Sequence, residues 1–283
     1  YIFLMLQFSA IPFTIGYNLL SGQIRALGNS KQPFYFLITA SVINIILDGI
    51  LILGMGLGVE GAGIATWLSQ GISVLLCIWF IKKKMQILIP KGEERKFDNK
   101  KISILLNNGV PMGLQFSITA IGSIMLQSAN NALGTACVAA FTSAMRIKMF
   151  FLCPLESLGM AMATFSGQNY GAGKPERIWS GIKASTLMMV IYTAVTFLIL
   201  MLGAKSFALI FVDPSEIEIL EKTELFLHIS VSFFPMLGLL CILRYTIQGV
   251  GYTNLAMFSG VSEMIARILV SIYAVPAFGI IAV

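Results

Sequence analysis

The chain has 283 residues, of which 57% are hydrophobic and only 11% charged, and its mean hydropathy is +0.86. Soluble domains carry roughly 25% charged residues, so this composition excludes a water-soluble globular protein and points to a polytopic membrane protein. The net charge of +6 follows the loops rather than a basic face, which argues against nucleic acid as a partner.

Apolar windows recur along the chain at 1–20, 34–53, 61–81, 104–126, 136–165, 182–202, 225–247 and 255–275. Each suffices to cross a hydrocarbon core of about 30 Å as a helix rising 1.5 Å per residue. The runs are continuous rather than alternating, so the expected fold is all-α, with about eight transmembrane helices and no β-barrel. Tyr1 lies inside an apolar window with no basic stretch before it, and another window begins near Val283. The expectation is a piece of a longer protein rather than a signal peptide.

The third and fourth windows are separated by KKKMQILIPKGEERKFDNKK (82–101), with Lys82, Lys83, Lys84, Lys91, Arg95, Lys96, Lys100 and Lys101. This basic segment is the expected linker between a partial lobe of three helices, 1–81, and a lobe of five, 102–283. If every window spans, the loops holding Arg25 and Lys31, and Lys174, Arg177 and Lys183, lie on its side. Opposite are Glu60, the nearly uncharged turn 130–135, and Asp213, Glu216, Glu218 and Glu221. The positive-inside rule then places 82–101 in the cytoplasm.

The two parts resemble each other. NLLSGQIRALG (18–28) and CILRYTIQGVG (241–251) each read as the polar end of one helix, a glycine turn and the start of another. Pairing Gly28 with Gly251 sets Asn44 opposite Arg267 and Ala40 opposite Glu263. GLGVEGAGIA (56–65) is echoed loosely by PAFGIIAV (276–283). Repeated halves are frequent in transporters.

The charges singled out inside the windows are Asp48, Arg146, Lys148, Glu156, Glu263 and Arg267. Each costs about 2.5 to 3.5 kcal/mol at mid-bilayer unless paired or hydrated. Asn44 and Asp48 stand one helical turn apart on one face. An amide oxygen beside a carboxylate suits a proton or a hard cation such as sodium, and Thr66 on the next helix offers a hydroxyl. An apolar setting penalises the ionised carboxylate and prepares it for proton exchange. The alternative is packing glue, a carboxylate hydrogen-bonded to a neighbouring helix. Glu263 and Arg267 form a local ion pair or a second polar site. Arg146 and Lys148 are expected to snorkel near a helix end. Glu156 follows Pro154, and either lines a cavity beside a bent helix or sits near the far interface.

Cys77, Cys137, Cys153 and Cys241 fall in apolar windows without a C-x-x-C spacing, so they read as small hydrophobes rather than disulfides or metal ligands. A single histidine, His228, excludes a histidine-rich metal centre. GQNYGAGK (167–174) has one residue too many between its glycines for a phosphate loop, and Pro175 stands where Ser or Thr is needed, so it reads as a turn between helices. H-E-x-x-H and G-x-S-x-G do not occur, and the expectation is no enzyme and no cofactor. Met145, Met149, Met160 and Met162 read as packing or, on a cavity wall, as an adaptable surface for varied apolar ligands.

RALGNSKQPFYFLITASVINIILDGILILGMGLGVEGAGIAT (25–66) and AAFTSAMRIKMFFLCPLESLGMAMATFSGQNYGAGKPERI (139–178) resemble the multidrug and toxic compound extrusion (MATE) transporters. Members look like twelve-helix proteins of two six-helix lobes. On that pattern the chain lacks the first three helices and most or all of the last. The resemblance implies a monomeric antiporter that expels organic, often cationic, compounds against protons or sodium. A first-lobe cation motif of one branch falls on Asn44, Asp48 and Thr66. A further Asn of that motif falls on Ser21, which departs from it. Arg267 stands where Asn44 stands, so the second lobe cannot bind a cation in the same way. Two other readings stay open: a flippase for lipid-linked saccharides, needing a basic pyrophosphate-binding cavity, and a channel or non-transporting scaffold.

Overall fold

A computed structural model describes residues 2–92 and 96–279. Tyr1, Arg95 of the basic segment and residues 280–283 of the second echo lie outside the described residues. The chain forms α1 (Ile2–Ala26), α2 (Lys31–Asp48), α3 (Gly58–Lys84), α4 (Asn99–Asn131), α5 (Thr135–Gly171), α6 (Pro175–Ala208), α7 (Ile217–Ser232), α8 (Phe234–Val250), α9 (Thr253–Leu269) and the short α10 (Val275–Phe278). No strand occurs among the described residues. Seven helical segments are long and apolar enough to span a bilayer, and α7 with α8 makes an eighth. The chain divides into two compact units, Tyr1–Phe97 and Asp98–Val283.

The window 225–247 is not one straight helix. The chain bends by 50° between α7 and α8, at Phe233. Pro235 in the first turn of α8 has no N–H to return to the preceding turn, and its ring crowds the carbonyl there. Pro154, by contrast, lies within the continuous α5. The Tyr192 hydroxyl of α6 donates to the Phe151 carbonyl in the turn that Pro154 disturbs, at 2.8 Å.

In the first unit, α3 packs on α1 along a buried stripe of small residues, Ala65, Ser69, Ser73 and Cys77, spaced four apart. Small side chains let helix backbones approach closely in a membrane, where no hydrophobic force drives them together. Phe36 of α2 meets Phe80 of α3 edge to face at 5.7 Å, and the Tyr17 hydroxyl of α1 donates to the Pro33 carbonyl of α2 at 2.9 Å. After Asp48 the helix loosens into a π-helical turn, Gly49–Gly54, which meets α3 at Gly61.

In the second unit the Asp98 side chain caps α4, accepting from the backbone N–H groups of Lys100 and Lys101. Phe141, Ile147, Phe151 and Leu155 of α5 form a core with Met189 and Leu200 of α6, Leu227 of α7 and Ile242 of α8. In the turn between α6 and α7, the Ser215 hydroxyl and then its backbone N–H donate to Asp213 and hold that carboxyl below the usual aspartate range. Cys77, Cys137 and Cys241 are buried as free thiols, whereas Cys153 is exposed. The 167–174 segment is the end of α5 and a tight turn, with Gly173 at φ +68°.

The two units share a construction. Gly28 and Gly251 adopt φ of 87° and 100°, a left-handed conformation that only glycine enters freely. The Gly28 N–H donates to Arg25 O and the Asn29 N–H to Ile24 O. In the second unit the Gly251 N–H donates to Gln248 O and the Tyr252 N–H to Ile247 O. This is the same Schellman cap at matching positions. The helix that follows, α2 or α9, ends in a π-helical turn in both cases, Gly49–Gly54 and Val270–Ala274.

The crossing of α5 and α8 is the tightest among the described glycines. A Cβ on Gly249 would lie 2.2 Å from the Ala163 carbonyl oxygen, and one on Gly167 would lie 2.9 Å from Gly249 O. Backbone cannot yield as a side chain does, and overpacking costs about 1–3 kcal/mol. Gly249→Ala is therefore expected to lower the thermal midpoint of the detergent-solubilised protein by several degrees, whereas Gly113→Ala, with open space around it, leaves it unchanged or higher. Fluorescence-detected size-exclusion after heating reads both.

Candidate functional sites

In the first unit α2 buries only Pro33, Phe36 and Ala40, so much of its apolar surface faces outward. Asn44 and Asp48 are half-buried on one face at its C-terminal end. The Asn44 Nδ2 and Asp48 Oδ1 atoms are buried and have no hydrogen-bond partner among the described residues. A buried polar atom left unmatched costs about 1–3 kcal/mol. The π-helical turn begins at the residue after Asp48, and such turns concentrate at functional sites. The Thr66 hydroxyl donates to Ala62 O at 2.9 Å and that of Ser21 to Asn18 O at 3.2 Å, each within its own helix. Neither satisfies the Asn44 amide or the Asp48 oxygen. Both keep oxygen lone pairs for a cation or a water. Ser21 is fully buried and Thr66 half-buried.

In the second unit the ion pair between Glu263 and Arg267 is present at 2.5 Å, but it is only half of the arrangement. Glu263 Oε2 also accepts from Arg244 Nη2 of α8 at 3.1 Å, so one carboxylate bridges two guanidiniums. Arg244 donates further to Ser259 Oγ and Arg267 to Ser123 Oγ of α4, which ties α4, α8 and α9 together. The Arg244 Nε is buried without an acceptor among the described residues. Nearby, Gln248 Nε2 donates to Gln115 Oε1 at 2.7 Å. Lys148 of α5 lies within Coulombic range of both Arg267 and Glu263, and its ammonium stands 5.5 Å from the centre of the Phe226 ring. Glu156 is exposed on α5, within Coulombic range of Tyr245 and Cys241. Arg146 and Lys148 lie about three turns inside α5 rather than at its end. Arg146 is exposed, over the Phe211 ring at 5.9 Å.

Arg244 belongs with the charged residues inside the windows, and sequence reasoning passed over it. The signal was present: the offset that pairs Gly28 with Gly251 and Asn44 with Arg267 also pairs Ser21 with Arg244 and Asp48 with Ser271. The positions that hold Ser21, Ala40 and Asn44 in one unit hold the Arg244–Glu263–Arg267 network in the other.

The MatE family model matches residues 109–273, more than half of the chain. The chain belongs to the MatE family. It is a multi-pass membrane protein, and among its relatives are proteins named for multidrug resistance and for transport. This MatE chain is 33% identical to the probable multidrug resistance protein YpnP of Bacillus subtilis over 62% of its own length and 39% of that protein. It is 26% identical to the FAD transporter of Shewanella oneidensis, over 69% of its length and 44% of that protein. It therefore spans less than half the length of these curated relatives. A solved structure described as MATE in complex with MaL6 superposes with a TM-score of 0.90 at 20% identity, covering 99% of this chain and 64% of that one. At that identity the likeness speaks for the fold.

Removing one partner of a buried ion pair costs about 3–5 kcal/mol, because the other charge stays behind uncompensated. Glu263 serves two arginines, while each arginine also holds a serine. Glu263→Gln is accordingly expected to lower the thermal midpoint more than Ser123→Ala or Ser259→Ala does, with a loss at the lower end of that range because the cluster is partly exposed. Thermal melts of the four proteins decide it.

Proposed function

We propose that this chain is part of a secondary active exporter that moves organic compounds out of the cell by alternating access. Export is driven by exchange for protons or sodium, with Asp48 as the coupling group. The observation that carries this reading is the buried, unpartnered pair Asn44 Nδ2 and Asp48 Oδ1 on one helical face, just before a π-helical turn. A carboxylate in that state is relieved by a proton or by a small cation, which Ser21 and Thr66 help to ligate. Neutralisation shifts the balance between two packings of the first unit, because a ligand moves such an equilibrium by its differential affinity for the two states. Family membership and the name of YpnP support drug-like substrates, and that of the Shewanella relative widens the range to a nucleotide cofactor. The protein works as a monomer in the plasma membrane, with the Lys-rich 82–101 segment in the cytoplasm.

One observation favours the flippase reading: two guanidiniums flank one carboxylate in the second unit, the kind of basic group that a pyrophosphate-binding cavity needs. Gradient-coupled efflux of a soluble dye separates the two readings.

In proteoliposomes holding the complete protein, a pH or a sodium gradient imposed separately is expected to drive ethidium export, and Asp48→Asn to abolish the coupled part. Undiminished coupled export by that variant rejects Asp48 as the coupling group. A cysteine introduced at Lys101 of the complete protein is expected to react with a membrane-impermeant maleimide only after cells are permeabilised. Labelling of intact cells reverses the orientation.

A further inference from the structure

The cation-coupling chemistry of the first unit leaves the charges of the second without a role. Arg244 inside α8, Lys148 inside α5 and Arg267 in the last turn of α9 supply three positive charges, and Glu263 is the carboxylate that pairs with the two arginines. Glu156, exposed on α5, reduces this excess without cancelling it. Uncompensated charge at membrane depth is costly, and a bound anion offsets it. The guanidiniums are also incompletely used. Each carries five N–H donors in a planar fork suited to carboxylate or phosphate, and the Arg244 Nε is buried with no acceptor among the described residues. The cluster is reachable: the Arg267 side chain is 31% exposed, and those of Glu263 and Arg244 23% and 14%.

We infer that the Arg244–Glu263–Arg267 cluster, with the Lys148 charge acting on it from α5, is a binding site for an organic anion, a compound bearing a carboxylate or a phosphate. Glu263 acts as the resident counter-ion. It holds the two forks apart and aligned while the site is empty of substrate, and an incoming oxyanion takes guanidinium N–H donors that Glu263 leaves over. Arginine rather than lysine at the two central positions fits this role, because a planar fork grips an oxyanion through two hydrogen bonds and an ammonium grips it through its charge alone. This deepens the exporter reading by naming a substrate class, and rests on it only in treating the bound anion as cargo.

Equilibrium binding tests the site without requiring transport. The complete protein in nanodiscs of zwitterionic lipid is titrated with carboxyfluorescein, flavin mononucleotide and ethidium, followed by fluorescence polarisation. At least one of the two anions is expected to bind, carboxyfluorescein if the site takes carboxylates and the mononucleotide if it takes phosphate. Arg244→Gln and Arg267→Gln are each expected to weaken that binding at least tenfold, with Arg267→Lys recovering part of it. Ethidium affinity is expected to stay the same or to rise. Should either glutamine variant misfold, Lys148→Gln, outside the ion-paired triad, reads the same direction of change. Failure of both anions to bind, or equal binding by the glutamine variants, overturns the assignment. Because Asp48 is untouched throughout, that failure leaves the export reading standing, and a failure of gradient-driven export leaves anion binding standing.

Discussion

Inside a hydrocarbon layer a polar group has no solvent to fall back on, so each one must find its partner within the protein. The helices obey this rule along their backbones, and side chains add to it: the Tyr192 hydroxyl donates to the carbonyl of Phe151 near Pro154. The two polar clusters differ in how far they obey it. In the second unit Glu263 bridges Arg244 and Arg267, and serines take up further donors. In the first, the amide of Asn44 and an oxygen of Asp48 are left over. Unmet hydrogen-bonding capacity in a membrane is costly enough that a ligand able to meet it gains correspondingly in affinity.

The two clusters sit on the same local scaffold. A Schellman cap closed by Gly28 or Gly251 turns the chain back, a helix follows, and a π-helical turn ends it. Within that frame the side chains have diverged in charge. Ser21, Asn44 and Asp48 correspond to Arg244, Arg267 and Ser271, so one copy presents a carboxylate without a cation and the other presents cations in excess of carboxylate. Backbone geometry is preserved because glycine at a positive φ and the cap hydrogen bonds are demanding. The side chains on the helix face are free to take up different chemistry.

Close helix packing supports both arrangements. The stripe of Ala65, Ser69, Ser73 and Cys77 on α3, and the glycines where α5 crosses α8, bring backbones within van der Waals reach. Dispersion between closely packed backbones replaces the hydrophobic force that soluble helices rely on. At these crossings a single added methyl matters more than a change of polarity on the lipid-facing surface.

Much was written in the sequence itself. Continuous apolar runs determined helices, since a 20-residue stretch of such residues has no other way to satisfy its backbone in lipid. The spacing of Asn44 and Asp48 put them on one face by helical geometry alone, and the Glu263–Arg267 pair followed from the same spacing. Relations between helices were decided only by tertiary structure. Arg244 stands 19 residues from Glu263 in the chain, and no local period connects them. Their contact exists because α8 turns back at Gly251 and α9 packs beside it. The break at Phe233 likewise depends on how Pro235 is placed, for Pro154 lies in an unbroken helix. Hydropathy measures what a segment prefers as its surroundings, whereas pairing between segments depends on which faces the packed helices turn towards one another.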